Sequence, residues 1–585
     1  MVDAVRTDQS ISRKWRRIDW WPGLMLAMVI GASLIIVAEL AIVIGLSFVD
    51  GDINASVLDY GVGNYVEVFS DKFTGTVILN TIQFALVTVV VALAFGLPAA
   101  WLVSRTDLPK KTLLFTLMTV GLLIPGFTTA MGWLFLLHPR VGMINVGLMS
   151  LLGLETAPFG IANMFGMGFV QGLNLAPIAF IMTAAVFRAM DPALEEAAYM
   201  SGANFRKTAI AVTLRLAWPG ILAASIYMFT IGFAAFDVPA IIGWGNRKYT
   251  FSTYLLVLLD SREGAPRYGI VAALGTVVVA FAGLCTWWYN LVQRRARQYE
   301  VVSGKGYRPR IMRLGTWVWP AWALLGLYFL LSKLMPLTVL VWASLLPYLQ
   351  VPSAEAFAAL SFVNFTKINL PLATNAIINT VILMLLVPTL ALTLSLFFSW
   401  IVLRSKKPGR SVFDFIAFLP HAVPNVIFAI AALLVSLFII DKILPIYGTV
   451  WILLIVFVVD RLSYGTRMTN GGLIQINREL DESAYVSGAT TFGVMRSVLA
   501  PLLAPTLTYA WLWIAIMTFR ELTLAALLTT YDNMTLSVLV WSLWAGGNQG
   551  TAGAVCLIML ALMTPMIAVY WIVARKRGMI GNDDD

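Results

Sequence analysis

Charged residues make up only 12% of this 585-residue chain, and cysteine and histidine number two each. So little charge excludes an ordinary soluble domain, in which about a quarter of residues are charged. Cys285 and Cys556 both fall inside apolar runs, which argues against a disulfide framework or a cysteine metal site. With His138 and His421 as its imidazoles, the chain also lacks the means for a histidine-rich metal cage. No Gly-x-x-x-x-Gly-Lys-Ser/Thr run is present, so the backbone cradle that holds nucleotide phosphates is missing. No catalytic residue, metal ligand or cofactor of its own is therefore expected, and the chain does not itself hydrolyse ATP.

What abounds is apolar sequence: 59% of residues are hydrophobic and the mean hydropathy is +0.84. A bilayer core of roughly 30 Å takes about 20 apolar residues per helix. Twelve such segments occur, near 24–49, 77–104, 112–137, 161–187, 217–243 and 268–292, then near 317–346, 376–403, 412–440, 445–468, 501–530 and 549–574. Arg13, Lys14, Arg16 and Arg17 precede the first, as in a signal peptide. The run from Leu24 to Phe48 is too long for a cleavable apolar region and lacks a small-x-small site, so it is expected to stay as an anchor. If the N-terminus is inside, 30 of the 40 Lys and Arg residues fall in cytoplasmic segments (1–21, 105–111, 188–216, 293–314, 404–410, 461–500 and 575–577). Basic loops stay inside, so both termini are expected in the cytoplasm, and the +10 net charge reads as topology rather than nucleic-acid binding.

The segments fall into two sets of six, and residues recur between them. Asn80-Thr81 returns as Asn379-Thr380 and Arg105 as Arg404, both at an offset of 299, while Asn64-Tyr65 answers Asn364-Phe365. Glu196-Ala-Ala-Tyr-Met-Ser-Gly202 returns as Glu482-Ser-Ala-Tyr-Val-Ser-Gly488, and Pro219 as Pro505, at an offset of 286. The expected organisation is a basic N-terminus (1–21), a first half (22–292), a linker (293–314), a second half (315–575) and a C-terminal tail (576–585). Six being even, both halves enter the membrane in the same sense, which implies a pseudo-two-fold axis along the membrane normal and a path between the halves.

The repeated basic-side segments, 188–218 and 469–500, are the most informative. Each reads as a short helix, Asp191 to Met200 and Arg478 to Val486, stopped by a glycine that permits the left-handed conformation. Glu195, Glu196, Asp481 and Glu482 are expected to remain in water. Glu196-Ala197-Ala198 with Gly202, and Glu482-Ser483-Ala484 with Gly488, resemble the EAA loop of permease subunits of ATP-binding-cassette importers. The resemblance implies an all-α integral membrane protein of the type I importer permease fold, in a bacterial inner membrane. It also implies that these helices couple to two ATPase subunits, which bind the ATP and Mg, and that an extracytoplasmic binding protein delivers the solute. The family pattern continues to Ile-x-Leu-Pro; here Val498-Leu-Ala-Pro501 keeps the proline and Val212-Thr-Leu-Arg215 does not, so the two couplings are not expected to be equivalent.

Charges inside apolar segments are costly and face a cavity or a partner. Asp237 interrupts the fifth segment and Arg520-Glu521 the eleventh. On straight helices they would lie roughly 27 and 22 Å beyond Pro219 and Pro505. Together with Pro125 and Pro424, which bend the third span of each half, they are candidates for the translocation path, the alternative for the charges being a salt bridge between the halves or snorkelling to the outer surface. Glu39 and Lys333 are expected to pair with each other or with local backbone, and His421, beside Pro420, to be a hydrogen-bonded core residue. The fused architecture, with Asp237-Val-Pro239 and Arg520-Glu521-Leu-Thr, resembles the ferric-iron permeases, whose relatives also carry polyamines, thiamine and aminophosphonates. Ferric iron is thus the expected solute. An ion-coupled secondary transporter and a membrane scaffold are the readings from other classes.

Overall fold

The computed structural model describes residues 19–51, 59–190, 193–259, 266–296, 312–405, 408–442 and 444–576. The N-terminal basic stretch to residue 18, Asp191, residues 297–311 of the linker and the tail beyond 576 lie outside them. Among the described residues the chain is helical, with one two-stranded ribbon, Val49–Asp50 against Asp59–Tyr60, after the first span.

Among the described residues nine helices are long and apolar enough to cross a membrane, and a tenth span is a bent pair, Arg410–His421 and Asn425–Ile440. The other two of the twelve expected spans differ for visible reasons. One is split into Lys111–Val120 and Gly126–Leu136 at Pro125, and the other, Val450–Gln475, carries Asp460 and Arg461 in its middle. Proline supplies no N–H and its ring crowds the preceding turn. At Pro125 and Pro424 the chain accordingly turns extended (ψ 138° and 133°) and restarts as an 11-residue helix in each half.

The fifth spans do not run on to residues 243 and 530. They end at Ala234 and Phe519, and the chain restarts at Pro239–Gly243 and Thr523–Leu528. Arg520 and Glu521 thus lie in a helix break and Asp237 directly after one, at Ala235 and Phe236, and the straight-helix distances do not apply. In hydrocarbon each exposed backbone group must find an internal partner, and these breaks find the same partners twice. Ser252 Oγ donates to Ala234 O at 2.9 Å and Ser537 Oγ to Phe519 O at 3.3 Å. Phe251 N donates to Thr81 Oγ1 at 2.8 Å and Leu536 N to Thr380 Oγ1 at 2.9 Å.

Close approach comes from small residues, as in other membrane bundles. The second and fourth spans of the first half, Lys72–Arg105 and Met164–Ala189, meet at Gly96 and Gly172; a Cβ on Gly96 would lie 2.5 Å from Ala179 Cβ. The first span of each half crosses over. Trp21–Ser47 packs against the second and third spans of the second half, and Met335–Ser344 packs on Gly126–Leu136 of the first. There Trp133 Nε1 donates to Leu331 O at 3.0 Å, in a π turn at Leu330–Leu334.

The repeated asparagines explain their own recurrence. Asn64 Nδ2 donates to Ser47 O and Val49 O (3.3 and 2.7 Å), and Asn364 Nδ2 to Ser344 O and Leu346 O (3.0 and 2.6 Å), each sealing the end of its half's first span. Gly269 and Gly550 leave room for them: a Cβ would lie 2.7 and 2.6 Å from the respective amide nitrogen. Asn364→Ala strands two buried carbonyls, each worth about 1–3 kcal/mol. We expect a lower thermal midpoint for the detergent-purified protein, with a smaller loss for Asn64→Ala, whose site is less buried.

Candidate coupling segments and the polar break between the halves

Each basic-side segment opens with the short helix that the sequence suggests, Ala193–Met200 and Arg478–Val486. Gly202 and Gly488 end them in the left-handed region, at φ +81° and +86°. Behind each glycine the chain closes the same double bond pattern. Ala203 N and Ala489 N reach back to the carbonyls of Ala198 and Ala484, and Gly202 N and Gly488 N to those of Tyr199 and Tyr485. This closure satisfies helix-end carbonyls, and a side chain at either glycine would strain it. A π turn follows in each half, Ala209–Thr213 and Met495–Leu499, and leads into the fifth span.

The faces of these helices correct the expectation that all four carboxylates stay in water. Glu482 is exposed and Glu196 half-buried, but Glu195 and Asp481 turn inward. Arg404, the C-cap of the second span, places Nε 2.8 Å from Asp481 Oδ2 and donates to Leu473 O and Ile476 O (3.3 and 2.8 Å) at the end of the fourth. Arg105 lies 3.7 Å from Glu195 Oε2 and donates to Met190 O at 3.2 Å. Burial raises the Asp481 carboxyl above the ordinary aspartate value, against the opposing pull of Arg404 and Arg478. On the outer face, Met200 and Val486, both just ahead of the Ser-Gly stop, are 86% and 89% exposed. Leu194 and Leu480 are exposed beside them. Apolar side chains held out in matched pairs are what a helix presents to a groove.

The second cluster sits where the halves meet. Arg520 of the second half donates from Nη1 to Leu122 O and Ile124 O, carbonyls left open by the break at Pro125 in the first. Asp237 Oδ1 accepts from Thr523 Oγ1 at 3.3 Å, again across the halves, and Asn174 Nδ2 donates to Gly126 O at 3.3 Å. Asp237, Arg520 and Pro125 are therefore brought together. Pro424 breaks the matching span of the second half, next to His421, which packs against the rings of Tyr464 and Phe418 at 5.2 and 5.4 Å.

Glu521 points elsewhere, to Arg461, whose other arm lies 2.8 Å from Asp460 Oδ2. The sequence reading missed this triad and counted Arg461 among the cytoplasmic basic residues; it lies buried in the middle of Val450–Gln475. The available signal was the adjacent Asp460-Arg461 after nine apolar residues, Trp451 to Val459. Glu39 and Lys333 do not pair. Glu39 lies within electrostatic reach of Asp460 and Lys333 of Arg520, like charge beside like, and Glu39 Oε2 and Lys333 Nζ have no hydrogen-bond partner. Among the described residues no three His, Cys, Asp or Glu side chains gather where they could hold a metal ion. Replacing Arg461 by Met strands two buried carboxylates, at a cost of about 3–5 kcal/mol. We expect this variant to lose thermal stability and monodisperse yield, and Arg461→Met with Asp460→Asn and Glu521→Gln to recover most of both.

Comparison with known proteins places this geometry. The family model described as binding-protein-dependent transport system inner membrane component matches twice, over residues 92–298 and 391–578, one copy in each half. The ferric transport system permease protein FbpB of Actinobacillus pleuropneumoniae is 23% identical over 529 residues, covering 88% of this chain and 73% of that protein. The putative ferric transport system permease protein FbpB 1 of Haemophilus influenzae is 24% identical, covering 81% and 72%. Among solved structures, a bacterial transporter that imports alginate aligns at 20% identity over 48% of this chain and 98% of that one, with a TM-score of 0.33. Two copies of the family domain and a duplicated basic-side helix agree with one another, and the chain belongs to the binding-protein-dependent transport system inner membrane components.

Proposed function

We propose that this chain is the translocation subunit of an ATP-driven importer and that it carries ferric iron inward, delivered by an extracytoplasmic binding protein. The observation that carries the reading is the pair of glycine-stopped helices with exposed apolar tips, one per half and equivalent in position. Two docks suit two ATPase subunits, which hold the ATP and Mg. Their closure draws the two segments together and opens the path between the halves outward, and hydrolysis returns it inward. The basic segments, even without Arg461, support a reading with both termini in the cytoplasm. Iron is supported by the relatives matched over more than four-fifths of the chain, three of which are named as ferric or Fe(3+) permeases.

The test is uptake of labelled Fe(III) by cells with and without the chain, with spermidine, thiamine and 2-aminoethylphosphonate as competitors. We expect saturable iron uptake that the competitors leave unchanged, and a loss of at least about tenfold in Glu196→Arg with Glu482→Arg, a magnitude within ordinary coupling energies. Uptake of a competitor in place of iron would overturn the iron assignment, and full transport by the double variant would overturn the docking assignment.

A further inference from the structure

Each basic-side helix is joined to the membrane spans by one arginine from the second span of its half. The donors Arg105 and Arg404 repeat at an offset of 299, while their acceptors, Met190 and Ile476 carbonyls and the carboxylates of Glu195 and Asp481, repeat at 286. Two parts of the chain with different spacings thus keep the same junction. A planar guanidinium, with several donors in a fixed fork, can hold a carboxylate and carbonyls together in a way that a lysine cannot. Both ion pairs are largely withdrawn from water, with side-chain exposures of 9% and 7% for Arg404 and Asp481 and 6% and 14% for Arg105 and Glu195. Low solvent access strengthens such a pair and makes its rupture costly.

The two junctions differ in tightness. Asp481 has Arg404 at 2.8 Å, and Arg478 Nη2 on the same helix donates back to Leu403 O at 2.6 Å, so second span and basic-side helix bind each other reciprocally. In the first half Glu195 lies 3.7 Å from Arg105 and shares itself with Thr213 Oγ1 at 2.7 Å. The residue matching Arg478 there is Pro192, which has no side-chain donor and lies outside the described residues. The second segment is also tied to the start of the first half. Thr491 N donates to Asp19 Oδ2 at 2.6 Å, and the Trp21 ring packs edge-on against Phe492 at 4.7 Å.

We propose that Arg105 and Arg404 are positioning residues that lock each basic-side helix to the ends of the second and fourth spans as one rigid unit, and that the Arg404 junction is the stiffer and transmits the larger share of the stroke. This rests on the reading that these helices receive the ATPase movement. A rigid junction delivers the displacement of the helix to two spans at once, and a loose one dissipates it in the segment.

The experiment uses the full chain with its ATPase subunits and binding protein in lipid nanodiscs and liposomes. The buried Cys285 and Cys556 are changed to Ala, and spin labels are placed at Thr393→Cys on the second span and Ser497→Cys on the second basic-side segment, both exposed positions. The label separation should be the same without nucleotide and with trapped ATP. In Arg404→Leu it should broaden and differ between the states, and ATP hydrolysed per solute carried should rise about tenfold, against about twofold for Arg105→Leu, within the usual range of coupling between sites. If Arg404→Leu does not assemble, Arg404→Lys carries the same test with a rise of about two- to threefold, because it keeps the charge and loses the fork. A label separation that changes with nucleotide in the otherwise unchanged protein would overturn the proposal, as would an unaltered ATP-to-solute ratio in the Arg404 variant that assembles. Glu196→Arg with Glu482→Arg separates the two readings. If the ATPase subunits still co-purify with it, the docking reading fails; if they are lost while the Arg404 variant stays coupled, only the rigid-junction proposal fails.

Discussion

A membrane interior offers a helix break no water, so every carbonyl and amide that a break frees must be met by another part of the protein. The places where this chain can bend are therefore the places where a second element supplies donors. At Pro125 the donor is Arg520, from the opposite half. At the ends of the fifth spans the partners are Ser252 and Ser537, and the first amides of the helices that follow, Phe251 and Leu536, are met by Thr81 and Thr380. The ends of the first spans are met by Asn64 and Asn364. Each solution ties together segments distant in sequence. The breaks thus add to the cohesion of the bundle instead of weakening it.

Duplication supplies most of these solutions twice, but the polar contacts between the halves are not symmetrical. The guanidinium on the carbonyls near Pro125 has no counterpart at the matched position of the first half, where Ala235 answers Arg520 as Ala234 answers Phe519. Lys333 lies within reach of Arg520, and Glu39 within reach of Asp460, while Asp237 and Glu521 stand beside Arg520 and Arg461 beside Asp460. An arrangement of that kind is sensitive to small displacements, because Asp237 and Arg520 come from opposite halves and Glu521 and Arg461 from different elements of the second.

The spans and their duplication were legible in the sequence because apolar length and fixed offsets are properties of the chain itself. Pro125 and Pro424 were legible for the same reason: a missing N–H acts locally. What could not be read was facing. Glu195 and Glu196 are neighbours of one charge, and only the position of Arg105, 90 residues earlier, decides that the first turns inward. Arg461 was misplaced on the same ground. A window of apolar sequence stops at a charge, whereas the helix continues to Gln475 because Glu521, from another span, meets that charge. The break of the fifth spans after Ala234 and Phe519 was hidden as well, since the residues that stabilise it lie on later elements.

These contacts define how movement can pass through the molecule. Each basic-side helix runs through a π turn into a fifth span of 21 residues in the first half and 20 in the second, about 30 Å of straight helix at 1.5 Å per residue. At its near end that assembly is fixed to the second and fourth spans by an arginine. At its far end, in the second half, it terminates at Arg520, which holds the broken third span of the first half. The freed carbonyls of Leu122 and Ile124 can be released by Arg520 only if another donor or water meets them, since unpaired they would each cost several kcal/mol in an apolar surround. On the proposed path between the halves, opening would for that reason coincide with hydration of the break at Pro125.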